Sequence, residues 1–352
     1  MSRYAQSDVV KIVIYVVATL LLGAALAPFI YNGGMGIAEV TYGKDTNGLV
    51  EWLGAAARRS KDNFPRFFDR SVLFSALVLL GPLIAWLRLG RGKPPAGGWQ
   101  TSVPEEAAGM PGQRLEKNRR GPLDFLVGFL IAAGLLLISG WVLAKAGFFV
   151  WRDAEVSARG VPNLVVSDIA WSSILRRSLI TACMVAVIEE WLFRGMLLGI
   201  FLRAMRPAWA IVGLSLLFAA VHFLDPPSGA KVPDPEAYDA GFVLLRQILH
   251  HFVEPQALIG RFLTIFAVGV VLAVARWRTA SLWMPVGLHA GWIFAYQLYK
   301  GATWPVLKMP EWARMLVGTT LVEGLVPLGL AVVTALLVVA WTPRKPEGPG
   351  HG

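Results

Sequence analysis

Long apolar runs separated by short polar stretches dominate the chain. About 20 apolar residues suffice to cross a bilayer as a helix. Eight stretches approach that length: roughly 11–31, 71–87, 123–144, 179–201, 208–224, 257–275, 282–298 and 317–341. They predict an all-α fold, a polytopic transmembrane helix bundle of about eight spans. Two further segments, Leu49–Arg59 and Gly241–Val253, read as amphipathic helices. The most polar region, Arg88–Pro122, sets Arg88, Arg91, Lys93, Arg114, Lys117, Arg119 and Arg120 among prolines and glycines and reads as a flexible linker. The expected organisation is an N-terminal membrane region over 1–122, a core over 123–300, and a final span with a tail over 301–352.

Composition agrees with the pattern. Charged residues make up 16% and apolar ones 55% of the chain, against about 25% charge in soluble domains. The net charge of +10 has no soluble basic domain to carry it. It reads as cytoplasmic-loop lysine and arginine, not as a nucleic-acid surface. If the Arg88–Arg120 region is cytoplasmic, both termini are too, together with Arg203/Arg206, Arg276/Arg278 and Arg344/Lys345; Arg176 and Arg177 then fall outside, against the rule. The first apolar run, Ile12–Ile30, exceeds the usual signal-peptide core of about 7–15 residues and reads as a retained span. The expected location is an integral, multi-pass one in a bacterial inner membrane, with the lipid bilayer itself as a partner. Cys183 is the only cysteine, which excludes an intrachain disulfide and cysteine-rich metal sites. It reads as a small buried residue.

Ionisable groups inside spans are costly and by default mark function. Glu189, Glu190 and Arg194 stand in one apolar run. Residues four apart share a helical face, so Glu190 and Arg194 can pair along the helix. Glu189 points elsewhere, about 18 Å (twelve rises of 1.5 Å) past Arg177. A desolvated carboxylate of this kind suits a general acid or base. His222 closes the fifth span, with Phe218 four residues before it on the same face. His289 lies in the seventh, between Gly287 and Gly291, which permit close approach of another backbone. His250, His251 and Glu323 read as interfacial. A carboxylate and two imidazoles converging from separate helices can activate a water and stabilise an oxyanion; Glu/His/His is also an acceptable zinc set.

Glu189-Glu190-x-x-x-Arg194, then Phe218-x-x-x-His222, then His289 in a late span resemble the three motifs of the CPBP family. These are the CAAX-protease and bacteriocin-processing (Abi) intramembrane proteases, which include the Ras-converting CAAX endopeptidases. The resemblance covers about Thr181–Ile293. It implies a glutamate-dependent endopeptidase with no required metal or other cofactor, acting on a membrane-associated peptide or protein. On that resemblance Glu189 and His222 hold and activate the attacking water, His289 helps stabilise the oxyanion, and Glu190 and Arg194 support them. One position departs: the third motif usually has Asn or Asp four residues after its histidine, and here stands Ile293, beside the indole of Trp292. A non-catalytic scaffold or bacteriocin-immunity protein is the alternative that this departure motivates. An ion-coupled transporter is a further one, weakened by the few polar residues of the other spans.

Overall fold

A computed structural model describes residues 3–42, 48–58, 60–61, 63–87, 120–152, 171–224, 226, 230–251, 258–306, 309–318, 321–322 and 324–342. Most of the linker over 88–122, Glu323 and Arg344/Lys345 therefore lie outside the described residues. The chain divides into two compact units: Met1–Trp99 with Val221–Pro255, and Gln100–Ala220 with Gln256–Gly352.

The first unit is built on two long helices, α1 (Arg3–Val40) and α3 (Phe64–Trp86), joined through α2 (Gly48–Arg58). Asn63 accepts from the Arg66 amide and, with Pro65 in the first turn, starts α3 earlier than hydropathy alone indicates. Arg58 donates to the Ala38 carbonyl at 2.7 Å and to Thr41 Oγ1 at 2.8 Å, which tethers α2 to the end of α1. Helix α8 (Ala240–His251) realises the expected amphipathic segment. Its Ala240, Leu244, Leu245 and Ile248 join Ala24, Ala27, Tyr31, Phe64, Phe67 and Phe68 in one core, while Arg246 and His250 stay exposed.

The second unit carries the candidate chemistry. Helix α4 (Gly121–Lys145) leads into strand β1 (Phe149–Trp151). Helix α5 (Trp171–Glu190) continues through a π-helical turn (Trp191–Leu197) into α6 (Leu198–Ala204), followed by α7 (Pro207–His222), whose last two residues belong to the first unit. A second π-helical turn (Leu258–Phe262) opens α9 (Leu263–Thr279), and α10 (Trp283–Ala302), strand β2 (Thr303–Pro305), α11 (Glu311–Val317) and α12 (Leu325–Trp341) complete it. The strands form an antiparallel pair with Val150 opposite Trp304, a small addition to the all-α expectation that ties the end of α4 to the end of α10.

Among the described residues four stretches are long and apolar enough to cross a membrane: Asp8–Val40, Phe64–Trp86, Gly121–Lys145 and Gly260–Thr279. The other four expected spans are helical too, but α7 and α12 are shorter and α5 and α10 carry the charged and polar residues of interest. The eighth stretch does not run unbroken from Val317. Gly318, Leu321 and Gly324 take positive φ (64°, 41° and 104°), so α12 begins only at Leu325. A Cβ at Gly324 would meet the Leu316 carbonyl carbon at 2.9 Å; glycine there permits the turn.

Helix α10 lies between α4 and α5. On one side Gly287 and Gly291 press on the Phe125 and Phe129 carbonyls of α4. On the other, Ala290 meets Ala182 and Ala186 of α5. His289 is thereby turned to α5. Leucine at Gly287 or Gly291 has backbone, not a movable side chain, in its way, and overpacking of this kind costs about 1–3 kcal/mol or more. Gly287→Leu and Gly291→Leu are expected to lower the thermal unfolding midpoint in detergent by several degrees. Gly134→Ala, on α4 with open space around it, is expected to leave it unchanged or raise it slightly.

Candidate active site

Glu189 and Glu190 are the last residues of α5, and Arg194 sits in the π-helical turn that follows. There the Leu198 amide reaches back five residues to the Phe193 carbonyl. Single π-turns inside α-helices are rare and recur at functional sites. The turn does not disturb the expected pair: Arg194 Nη1 donates to Glu190 Oε1 at 2.9 Å, with both side chains fully buried. Arg194 Nη2 donates at 3.2 Å to the carbonyl of Gly269 on α9. Its guanidinium carbon lies 4.3 Å from the ring centroid of Phe218. A buried cation is thus held by a carboxylate, a carbonyl and an aromatic face.

His289 is brought to the same cluster. Its Nδ1 lies 2.8 Å from Glu190 Oε1 and its Nε2 lies 3.9 Å from Glu189 Oε2. Glu190 Oε1 already accepts from Arg194, and a carboxylate oxygen accepts. His289 Nδ1 therefore carries the hydrogen of that bond, and Nε2 faces Glu189. The Glu189 side chain is 26% exposed, against 0% for Glu190 and 7% for His289. Of the two carboxylates, Glu189 is the one that solvent or a substrate reaches. The cluster lies six residues from the Trp283 end of α10, about 9 Å along the axis. On α9 it lies ten residues from Thr279, about 15 Å. The α10 distance places His289 nearer the Trp283 end of that helix, whereas Gly269 lies near the middle of the Gly260–Thr279 span.

The structure thus brings together Glu189, Glu190, Arg194 and His289, all in the second unit. His222 ends α7, half-buried, and is counted with the first unit; Phe218, one turn earlier, is in the second. The sequence reading let His289 converge with Glu189; the structure sets it 3.9 Å from Glu189 and closer, 2.8 Å, to Glu190. Sequence reading gave no role to Phe218, to Phe193, whose ring meets Phe218 edge-on at 5.0 Å, or to the Gly269 carbonyl. The hints were the place of Phe218 at the head of the second motif and on the face of His222. Ile293 packs against Ala182, Ala186 and Ala290, while Trp292 packs among Ala132, Leu272 and Tyr299 on other sides; the indole does not take the place of the missing polar side chain. Cys183 is half-buried, not fully buried as expected, because α5 turns it away from α10. Among the described residues no group of three or more His, Cys, Asp or Glu side chains is arranged to hold a metal ion.

Residues 171–295 match the family described as Rce1-like, type II CAAX prenyl endopeptidase. The segment covers all three motifs, from the first turn of α5 to Ala295 in α10. No curated protein and no solved structure matches the chain. The match supports the CAAX protease family that the motifs resemble, and with it a peptidase. The apolar helices make this an integral membrane protein.

Proposed function

We infer that this is an intramembrane endopeptidase in which Glu189 is the general base. The observation that carries the reading is the division of labour between two neighbouring carboxylates. Glu190 is fully buried and bonded to both Arg194 and His289. Glu189 is partly exposed and approaches His289 Nε2 at 3.9 Å. In the proposed reaction Glu189, with His222, takes a proton from a water that attacks the scissile carbonyl, and then delivers it to the leaving amine. His289, held through Nδ1 by Glu190, turns Nε2 toward the reacting centre. Protonated, it donates there to the developing oxyanion. The substrate is a membrane-associated peptide or protein cut close to the bilayer. No metal is required in this scheme. The deciding experiment is comparative peptidomics of membranes containing the wild type or Glu189→Ala. Peptides produced only by the wild type are expected; identical peptide sets would overturn the reading.

A second reading, a non-catalytic membrane scaffold or immunity protein, is favoured by one observation. Ile293 contributes only apolar packing where the family pattern has a hydrogen-bonding side chain. An oxyanion donor is worth about 10²–10³ in rate when an optimised one is removed. A donor restored in an unoptimised site regains only part of that. Ile293→Asn is therefore expected to raise kcat about tenfold with KM little changed, at a small cost in stability from the lost contacts with Ala182 and Ala186. An unchanged kcat in a stable variant would show that oxyanion stabilisation does not pass through position 293.

A further inference from the structure

We propose that Phe218 is a positioning residue, whose ring face holds the Arg194 guanidinium end-on and so keeps Glu190 available to orient His289. Phe218 is 1% exposed and among the largest fully buried side chains, as is Arg194. Its ring contacts three groups of the site: the Arg194 guanidinium at 4.3 Å, the Phe193 ring edge-on at 5.0 Å and the His289 ring edge-on at 6.0 Å. Gly269 completes the seat. A Cβ there would fall 3.1 Å from Ser215 and 3.3 Å from Phe218. The missing side chain thus lets α9 come close enough for its carbonyl to reach Arg194 Nη2.

The bonds that are not made are as informative as those that are. Glu190 Oε2 and Arg194 Nε are both buried and have no hydrogen-bond partner among the described residues. A guanidinium and a carboxylate four residues apart would ordinarily satisfy both atoms by a side-on, two-bond pairing. Here the contact is a single one, Nη1 to Oε1. Two constraints hold the guanidinium in that pose. The Gly269 carbonyl binds the far nitrogen, and the face of Phe218 attracts the cation in a low-dielectric site where such attraction is strongest. With the arginine held end-on, Oε1 is shared between Arg194 and His289. Without the aromatic face, Arg194 rotates toward a two-oxygen contact, the carboxylate turns with it, and Oε1 is drawn out of line with His289 Nδ1.

The test uses the full chain in nanodiscs. Two variants are compared with the wild type: Phe218→Leu, which removes the ring, and 3,4,5-trifluorophenylalanine at 218, which keeps its shape but weakens its negative face. Histidine ring nitrogens are labelled with 15N, and His289 is assigned by its disappearance in His289→Gln. The wild type is expected to show His289 protonated at Nδ1. Both variants are expected to show a second His289 signal set with altered Nδ1, and kcat lowered about tenfold at unchanged KM. The kinetic arm rests on the peptidase reading. If the wild type cleaves nothing, that reading falls, and the ring-nitrogen comparison alone decides this one. Should Phe218→Leu fail to fold, the fluorinated ring carries the test. Wild-type His289 signals and wild-type kcat with the fluorinated ring would show Phe218 to be a space-filler and overturn the proposal.

Discussion

Glu189→Ala is expected to reduce cleavage by at least about 10³-fold in reconstituted protein while leaving insertion and thermal unfolding within about 1 kcal/mol of the wild type. The two halves of this outcome follow from one geometric fact. Glu189 is 26% exposed and approaches only the Nε2 side of His289, at 3.9 Å, while the neighbouring Glu190 holds the arginine. Removing Glu189 takes away the group that the proposed reaction sets at the substrate and leaves the buried ion pair intact. Glu189→Gln separates charge from shape. It keeps the side-chain volume and one oxygen acceptor but cannot take a proton, so it is expected to be as inactive as the alanine variant. Rate and stability are measured on the same preparations, by product release and by thermal unfolding in detergent. Retained activity in Glu189→Gln would remove the general-base role. Loss of stability comparable to that of a buried-pair variant would move Glu189 from the chemistry to the framework. His222→Ala is the matching variant on the second motif and is expected to share the kinetic phenotype.

Much of this was legible in the sequence, for local reasons. A pair four residues apart on a helix depends only on helical spacing, and Glu190 and Arg194 do meet at 2.9 Å. The amphipathic segments at Leu49–Arg59 and Gly241–Val253 appear as α2 and α8 because apolar periodicity decides which face is buried. The resemblance of three motifs to one family agrees with the match over 171–295. What stayed hidden is non-local or depends on backbone detail. Which of two adjacent carboxylates receives His289, 99 residues away, depends on how far α10 is rotated toward α5. That rotation is set by Gly287 and Gly291 closing on α4. Periodicity does not report a π-turn, since Trp191–Leu197 reads as ordinary helix by composition. The break before α12 rests on positive φ at Gly318, Leu321 and Gly324, and two glycines in an apolar run do not announce it. Phe218 stood out only as the first residue of the second motif, because its partner, Arg194, comes from another helix.

The largest effect on stability is expected at the buried pair. Glu190 and Arg194 are both fully buried and form a direct ion pair at 2.9 Å. Removing one member leaves the other as an uncompensated charge in a low-dielectric interior, which costs about 3–5 kcal/mol, whereas replacing both by apolar side chains of similar volume is often nearly neutral. Glu190→Ala leaves Arg194 with the Gly269 carbonyl, the Phe218 face and the more distant Glu189 carboxylate. It also strips His289 of its acceptor, so it is expected to be the least stable single variant and inactive as well. Arg194→Met leaves Glu190 bonded to His289, and is therefore expected to be less destabilising than Glu190→Ala. The double variant Glu190→Leu/Arg194→Met is expected to regain most of the stability and none of the activity. That pattern separates a pair kept for function from one kept for folding. If the double variant is as unstable as Glu190→Ala alone, the pair is a requirement of the fold. If it cleaves substrate at the wild-type rate, orientation of His289 by Glu190 plays no part in the chemistry.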